Sequence, residues 1–193
     1  MTERARPEDP ALVPEHKGGD PEARAREVCL RLLTLAPRTR AQLADALRKR
    51  GIPDEAANAV LGRYEDAGLI DDVAFARAWV ESRHHSRGLA GRALRAELKQ
   101  RGVADDEIRA AIDEQLGPDA EADAARRLVA GKLAATRRLP PEQRTRRLAG
   151  LLARKGYPAG LAFRVIREAL ETEGEIAFPE DEPPFDGEEL STE

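Results

Sequence analysis

Basic residues are the groups in this sequence with the clearest chemical use, which is the binding of anions. Residues 83–101 contain six bases and a single acid, Glu97. Arg92, Arg95 and Lys99 are spaced i, i+3 and i+7, so on a helix they form one stripe. Such a stripe could follow a phosphate backbone or enter an acidic protein groove. An ordinary solvated helix face is the alternative.

A second basic stretch, residues 126–155, contains ten bases and one acid, Glu142. Its charges surround the helix more evenly, so they define a face less sharply. Aromatic residues are scarce at 4% of the chain, which argues against base stacking in the manner of single-strand binding proteins. We predict a partner-binding surface drawn from both stretches: Arg83, Arg87, Arg92, Arg95, Lys99, Arg144, Arg146 and Arg147.

Two aromatic residues, Phe75 and Trp79, lie one helical turn apart just before the first basic stretch. Their i, i+4 spacing places them on one face of a helix. Leu94 and Leu98 have the same spacing and lie roughly opposite the basic stripe. We predict that these four residues form the structural core of this part of the chain. An exposed aromatic anchor for a partner is the alternative.

The sequence contains no constellation that supports catalysis or a metal centre. His84 and His85 are adjacent, so on a helix they point in different directions and cannot act as an i, i+4 metal pair. Cys29 is the only cysteine, and we expect it to be a small buried apolar residue. Phosphate-binding glycine loops and nucleophile-elbow motifs are absent. We therefore predict a protein that is not an enzyme and has no cofactor.

The elements that would position these residues follow from a repeat centred on three glycines. Gly51, Gly102 and Gly156 are separated by 51 and 54 residues, and each follows a run that ends in basic side chains. Each has a leucine four residues before it and another eight before it. A glycine just past a helix end adopts the left-handed conformation at little cost. The Schellman arrangement then predicts three contacts: Leu47–Ile52, Leu98–Val103 and Leu152–Tyr157.

Each glycine-terminated helix has a helical stretch before it and another after it. The preceding stretches are predicted at 22–36, 71–87 and 119–136, with Asp71 or Asp72 as an N-cap of the second. The composition, rich in Ala, Leu, Arg and Glu, also favours helix over strand. We predict an all-α fold of three tandem three-helix repeats at 23–68, 69–117 and 118–172.

The two ends of the chain differ in charge from its body. Residues 1–22 have a net charge of −3, residues 173–193 hold nine acids and no base, and the body between them has a net charge of +8. Both ends are poor in core residues and are predicted to be disordered. The acidic C-terminal segment could fold back on the basic body. Because no secretory signal or membrane span is evident, we expect a soluble cytoplasmic protein.

Four motifs in the middle of the chain carry a resemblance to a known family: Gly-Leu-Ile-Asp-Asp at 68–72, Phe-Ala-Arg-Ala-Trp-Val-Glu-Ser-Arg at 75–83, Arg-Gly at 87–88, and Leu-Arg-Ala-Glu-Leu-Lys-Gln-Arg-Gly-Val at 94–103. With these motifs the chain resembles the RecX family of recombinase regulators. The resemblance extends over about 24–171 through the repeat. It implies an elongated, curved array that binds the groove of the RecA–DNA filament and suppresses ATPase and strand exchange. The long acidic C-terminal segment departs from the family pattern.

Two other functions stay open on the sequence alone. Gln42-Leu-Ala-Asp-Ala-Leu followed by Gly51 and a new helix is similar to a helix-turn-helix, so a DNA-binding module that acts independently of RecA is the main rival. A helical scaffold for another acidic partner is the third. In each case we expect a monomer, and in the first case single- or double-stranded DNA could be a further contact.

Overall fold

The computed structural model describes residues 20–174, and within that range the chain forms helices and no strand. The all-α prediction is therefore confirmed for this part of the chain. The predicted disordered segments lie mostly outside it. Their boundaries need correction, because Pro21 and Glu22 already belong to the first helix and Glu173 is bonded to two arginines. The helices are α1 Pro21–Leu35, α2 Arg40–Arg48, α3 Asp54–Asp66, α4 Asp72–Arg87, α5 Gly91–Gln100, α6 Asp105–Gln115, α7 Pro118–Thr136, α8 Pro141–Arg154 and α9 Ala159–Thr172.

The second helix of each repeat ends as the glycine pattern predicts. Gly51, Gly102 and Gly156 have φ angles of 69°, 79° and 89°, all in the left-handed region. The residue after each glycine donates its N–H to the carbonyl five residues earlier, and the glycine donates to the carbonyl three residues earlier. These are the two bonds of a Schellman motif. The three bonds from the residue after the glycine are Ile52 N to Leu47 O at 3.2 Å, Val103 N to Leu98 O at 3.3 Å and Tyr157 N to Leu152 O at 3.2 Å.

The described residues form three hydrophobic cores that follow one another in sequence. The first takes its residues from positions 25–70 and includes Leu43 and Leu47. The second takes its buried residues from 76–112 and includes Leu94 and Leu98, both fully buried. The third is formed mainly by 124–170. In each repeat the first and third helices pack against each other, as α1 does on α3, α4 on α6 and α7 on α9.

The described chain divides into two compact units, the second of which holds two of the three repeats. The first unit comprises residues up to Arg38 and Leu43–Ile70, and the second comprises Thr39–Gln42 and the chain from Asp71 onward. In the first unit Cys29 is fully buried, and this burial raises the pKa of its thiol. The second unit contains the second and third repeats. Every residue of the predicted partner-binding surface lies in this unit.

One kind of junction occurs twice inside the second unit. The carbonyl of the residue before Gly156 accepts a hydrogen bond from the residue before α5. The carbonyl of the residue before Gly102 accepts one from the residue before α2. Ala90 N donates to Lys155 O at 2.9 Å, and Thr39 Oγ1 donates to Arg101 O at 2.6 Å. Each contact brings a helix start within reach of a glycine that has no side chain to obstruct it.

The close approach leaves no room for a β-carbon at either glycine. A β-carbon on Gly102 would lie 2.2 Å from the Cβ of Ala41, with no backbone atom nearer than 3.8 Å. On Gly156 it would lie 2.6 Å from the backbone nitrogen of Ala93 and 2.7 Å from its Cβ. The first obstruction is a methyl group, whereas the second is partly main chain.

A buried tyrosine strengthens the second junction. The hydroxyl of Tyr157 donates to Gly88 O at 3.0 Å, and the side chain is 2% exposed. Burial, and secondarily the charge of Glu121, raises the pKa of Tyr157 to about 12, although Arg127 acts in the opposite direction. Because the neutral hydroxyl is the donor, ionisation would abolish this bond.

We predict that double-mutant cycles will give different results at Gly102 and at Gly156. Gly102→Ala and Gly156→Ala should each lower the free energy of unfolding, with about 1–2 kcal/mol arising from the left-handed conformation alone and more from the clash. Ala41→Gly should rescue the clash at Gly102, because it removes the obstructing methyl. Ala93→Gly should rescue Gly156→Ala much less, because the backbone nitrogen stays. Urea unfolding followed by the fluorescence of Trp79, the only tryptophan, measures all the variants. Equal rescue at the two sites would contradict this account.

We also predict an alkaline loss of stability that depends on Tyr157. A phenol whose pKa is about 12 in the folded chain and about 10 when unfolded stabilises the fold fully below pH ~10. That contribution is lost as pH rises through about 12, since the unfolded state then releases the proton more readily. Tyr157→Phe should be less stable than the parent at neutral pH by about 1 kcal/mol and should show a flatter decline between these pH values. Stability measured against pH for both chains tests this, and parallel curves would refute it.

Candidate partner-binding surface

Helix α5 presents the predicted basic stripe to solvent. Arg92 and Arg95 are exposed, and in the described residues neither lies within ion-pair distance of a carboxylate. Lys99 is also exposed but pairs with Asp105 at 3.3 Å. An exposed pair of this kind contributes little and is screened by salt. The stripe therefore consists of two arginines that form no ion pair within residues 20–174 and one lysine held by a weak contact.

Helix α8 repeats part of this arrangement in the same unit. Arg146 and Arg147 are exposed, and within the described range neither has a carboxylate partner. Arg92 and Arg146 each lie two residues before the first buried leucine of their helix, Leu94 or Leu148. The two arginines therefore occupy equivalent positions on equivalent helices. Arg87, the last residue of α4, is a further exposed base.

Arg83 is partly buried and packs on an aromatic cluster at the edge of the cationic face. Its guanidinium carbon lies 4.2 Å from the ring centroid of Trp79, and that of Arg101 lies 3.7 Å away. Phe75 stacks on Trp79 with ring centroids 5.7 Å apart and an interplanar angle of 16°. Trp79 donates its indole N–H to Glu97 at 2.8 Å. Each cation–π contact contributes about 0.5–1 kcal/mol at an exposed site.

The cluster fixes two arginines at the edge of the second core. Phe75 and Trp79 are partly buried and pack against that core, and their outer surfaces still reach solvent. Desolvation lowers the pKa of Arg101, while Glu97 opposes the effect. Arg101 lies outside the partner-binding set predicted from the sequence. Its position directly before Gly102 and one turn after Glu97 was the available signal.

The prediction that Arg144 belongs to the partner-binding surface is wrong. Its side chain is 1% exposed, so it cannot reach a partner. Arg144 donates to Thr136 Oγ1 at 3.2 Å, to Leu133 O at 3.3 Å and to the carboxylate of Glu173. Arg137 binds the same carboxylate at 2.9 Å. Arg144 and then Arg137 hold the pKa of Glu173 below its usual range.

A cleft between α7 and α8 combines Arg147, a predicted partner-binding residue, with two basic residues that the sequence did not single out, Lys132 and Arg154. It has a volume of about 210 Å³, and Lys132, Arg147 and Arg154 line it with no acid among its walls. Leu148 and Leu151 form its apolar part. All three bases are exposed, and in the described chain none has a carboxylate within ion-pair distance. The cleft therefore offers both positive charge and apolar surface.

Residues 20–174 contain no group of three or more histidine, cysteine or acidic side chains placed to hold a metal ion. None of the helices in that range is both long and apolar enough to cross a bilayer.

We predict unequal stability effects for two arginines that lie one turn apart on α8. Arg144→Ala should lower the free energy of unfolding by about 2 kcal/mol or more, because it removes the buried bonds to the Thr136 hydroxyl and to Leu133 O. It also leaves Arg137 as the one described base that pairs with the Glu173 carboxylate. Arg147→Ala should change the free energy of unfolding by less than about 0.5 kcal/mol, because the side chain is exposed. Urea unfolding of the two variants makes the comparison. A neutral Arg144→Ala would remove the structural role assigned to that residue.

Comparison with known sequences places three profiles along this chain. The profiles described as the first, second and third three-helix domains of RecX match residues 25–63, 71–112 and 119–166. Regulatory protein RecX of Thermobifida fusca is 62% identical over 161 residues, covering 83% of this chain and 86% of the relative. Its counterpart in Mycolicibacterium smegmatis is 45% identical over 175 residues, with coverages of 86% and 93%.

Two solved structures share the fold. One, a crystal structure of regulatory protein RecX, has a TM-score of 0.69 and 24% identity and covers 77% of this chain and 72% of its own. The crystal structure of RecX from Lactobacillus salivarius has a TM-score of 0.70 and 17% identity, with coverages of 77% and 96%. The order of three-helix repeats, the matched profiles and the identity to relatives agree, and this chain belongs to the RecX family.

Proposed function

We propose that this chain is a non-enzymatic modulator of the RecA recombinase, which binds the groove of the RecA–DNA filament and suppresses its ATPase and strand exchange. The regulatory role named for its relatives supports the general function. The finer steps, including RecA as the partner, rest on the family resemblance and on the charge of the surface. The proposal places a monomer in the cytoplasm, where it acts in DNA repair and recombination.

The observation that carries the proposal is the pair of equivalent basic positions in one compact unit. Arg92 on α5 and Arg146 on α8 are exposed at the same place in successive repeats, and each has a second exposed arginine nearby. An anionic partner that meets these side chains does not first have to break an ion pair inside the described chain. Charge that is already available in this way favours association with a polyanion or an acidic groove.

The aromatic cluster supports the same surface by holding two more cations in place. Arg83 and Arg101 flank Trp79, so their guanidinium groups lose less conformational entropy on binding than those of mobile arginines. Glu97 receives the indole N–H and neutralises part of the local charge. The surface proposed to contact the filament is therefore Arg83, Arg87, Arg92, Arg95, Lys99, Arg101, Arg146 and Arg147.

We predict that reversing charge on α5 abolishes most of the inhibition of RecA. The double variant Arg92→Glu/Arg95→Glu should weaken inhibition of the single-strand-stimulated RecA ATPase by at least about tenfold, equivalent to ~1.4 kcal/mol. These positions are exposed, so the fold should be retained. The assay titrates each chain against RecA and single-stranded DNA at fixed salt.

The matched control is Arg164→Glu/Arg167→Glu, which changes the net charge equally on two exposed arginines of α9 in the same unit. It should inhibit nearly as well as the parent. If both double variants lose inhibition equally, net charge rather than this surface is responsible. If the parent chain fails to inhibit in stoichiometric excess, the proposed function is wrong. Tight binding to duplex DNA without RecA would instead favour the helix-turn-helix alternative.

A further inference from the structure

We propose that the acidic C-terminal segment, residues 175–193, docks in the basic cleft between α7 and α8 and competes there with the anionic partner. The docking is a property of this chain alone, whereas its regulatory consequence rests on the proposed function. The occupant is a segment of this protein that begins directly after the last described residue, Gly174. Three independent features of the described residues support this assignment.

The first feature is the anchor at the base of the segment. Glu173, the first of the nine C-terminal acids, is held by Arg144 and by Arg137 through two separate oxygens of its carboxylate. Arg144 also binds Thr136 Oγ1, and Thr136 is one of the residues that line the cleft. The chain therefore leaves the described structure beside the cleft, joined to it by one buried arginine and one threonine.

The second feature is complementarity of charge. Residues 175–193 contain eight acids and no base. The cleft has Lys132, Arg147 and Arg154 on its walls and no acidic residue. Exposed Arg138 and Arg146 lie on the linker and helix beside it. Opposite charges that are tethered to one another meet at a high effective concentration, so even weak contacts produce substantial occupancy.

The third feature is complementarity of apolar surface. Among its acids the segment carries Ile176, Phe178 and Phe185. Leu148 is 1% exposed and belongs to the core, whereas Leu151 is partly exposed beside the cations of the cleft. Leu151 therefore offers an apolar contact that an acidic peptide with a bulky apolar residue can use and a bare phosphate cannot. Nineteen residues span up to about 60 Å when extended, so the length of the segment does not restrict where it docks.

Competition follows from shared residues. Arg147 lines the cleft and also belongs to the surface proposed for the filament, with Arg146 adjacent to it. A docked C-terminal segment would therefore cover Arg147, and none of the α5 residues of that surface lines the cleft. Partner binding would have to displace the segment, and the anchor at Glu173 would keep it ready to return.

The experiment uses a full-length chain in which the eight acids of 175–193 are replaced by the corresponding amides. A fluorescent peptide of sequence 175–193 is titrated into this chain and into the parent, and anisotropy is measured without RecA. We expect saturable binding to the amide chain, at least about tenfold weaker binding to the parent, and a loss of affinity from about 50 mM to about 200 mM salt. A peptide carrying the same amides should not bind.

Variants of the amide chain locate the site. Arg147→Glu/Arg154→Glu should abolish peptide binding, and the charge-matched Arg164→Glu/Arg167→Glu should retain it. No binding to the amide chain, or equal losses in the two double variants, would overturn the docking proposal. If the peptide that carries amides binds as tightly as the acidic peptide, the proposed role of charge is wrong.

A second arm tests the consequence separately, because it adds RecA filaments. The amide chain should bind filaments at least about tenfold more tightly than the parent. Equal filament affinity despite demonstrated peptide docking would overturn the competition. If neither chain binds filaments, the proposed function fails, while the docking is still decided by the peptide titration alone.

Discussion

The left-handed glycine that ends the second helix of each repeat is the constraint on which the rest of the structure depends. It terminates α2, α5 and α8 at a fixed distance from their buried leucines, because the Schellman bonds join the residue after the glycine to the leucine four residues before it. That geometry turns an apolar residue back into the core. The third helix of the repeat then begins a few residues later and packs on the first.

At Gly102 and Gly156 the same residue has a second task. The chain at each of these glycines meets the start of another helix so closely that a β-carbon would clash, and the preceding carbonyl accepts a bond there. Gly51 has the same backbone conformation with open space around it. A helix stop needs only a tolerant residue, whereas the two junctions need one without a side chain. The three glycines are equivalent in the sequence pattern, but Gly51 differs from Gly102 and Gly156 in the space around it.

Much of the fold could be predicted from the sequence because local signals agreed with one another. Asp71 caps α4 and accepts from Ala74 N at 2.8 Å, and α4 ends at Arg87 before the left-handed Gly88. These features depend on neighbouring residues, as do the glycine motifs. The division into two units could not be predicted in this way. It depends on Thr39 and its neighbours joining α5, a contact between positions 62 residues apart that no local pattern encodes.

The candidate surface was harder to predict, because a basic residue has the same sequence signature whether it is buried or exposed. Arg144 lies four and eight residues before Leu148 and Leu152, so it is on the leucine face of α8 and not on the outer face. Helix periodicity could have identified it. What periodicity could not supply is Glu173, whose carboxylate makes burial of that charge tolerable and which lies 29 residues away.

Whether an arginine is neutralised therefore depends on the distance to the nearest carboxylate and not on the local density of positive charge. Arg77 is paired with Glu114 at 2.7 Å and Arg126 with Glu168 at 3.3 Å, so both are partly neutralised within the unit. Arg92, Arg95, Arg146 and Arg147 have no such partner among the described residues. A chain with more acids than bases can thus keep a strongly cationic surface, because many of its acids lie in its terminal segments or are matched to other bases. An anionic partner would meet the unmatched arginines first.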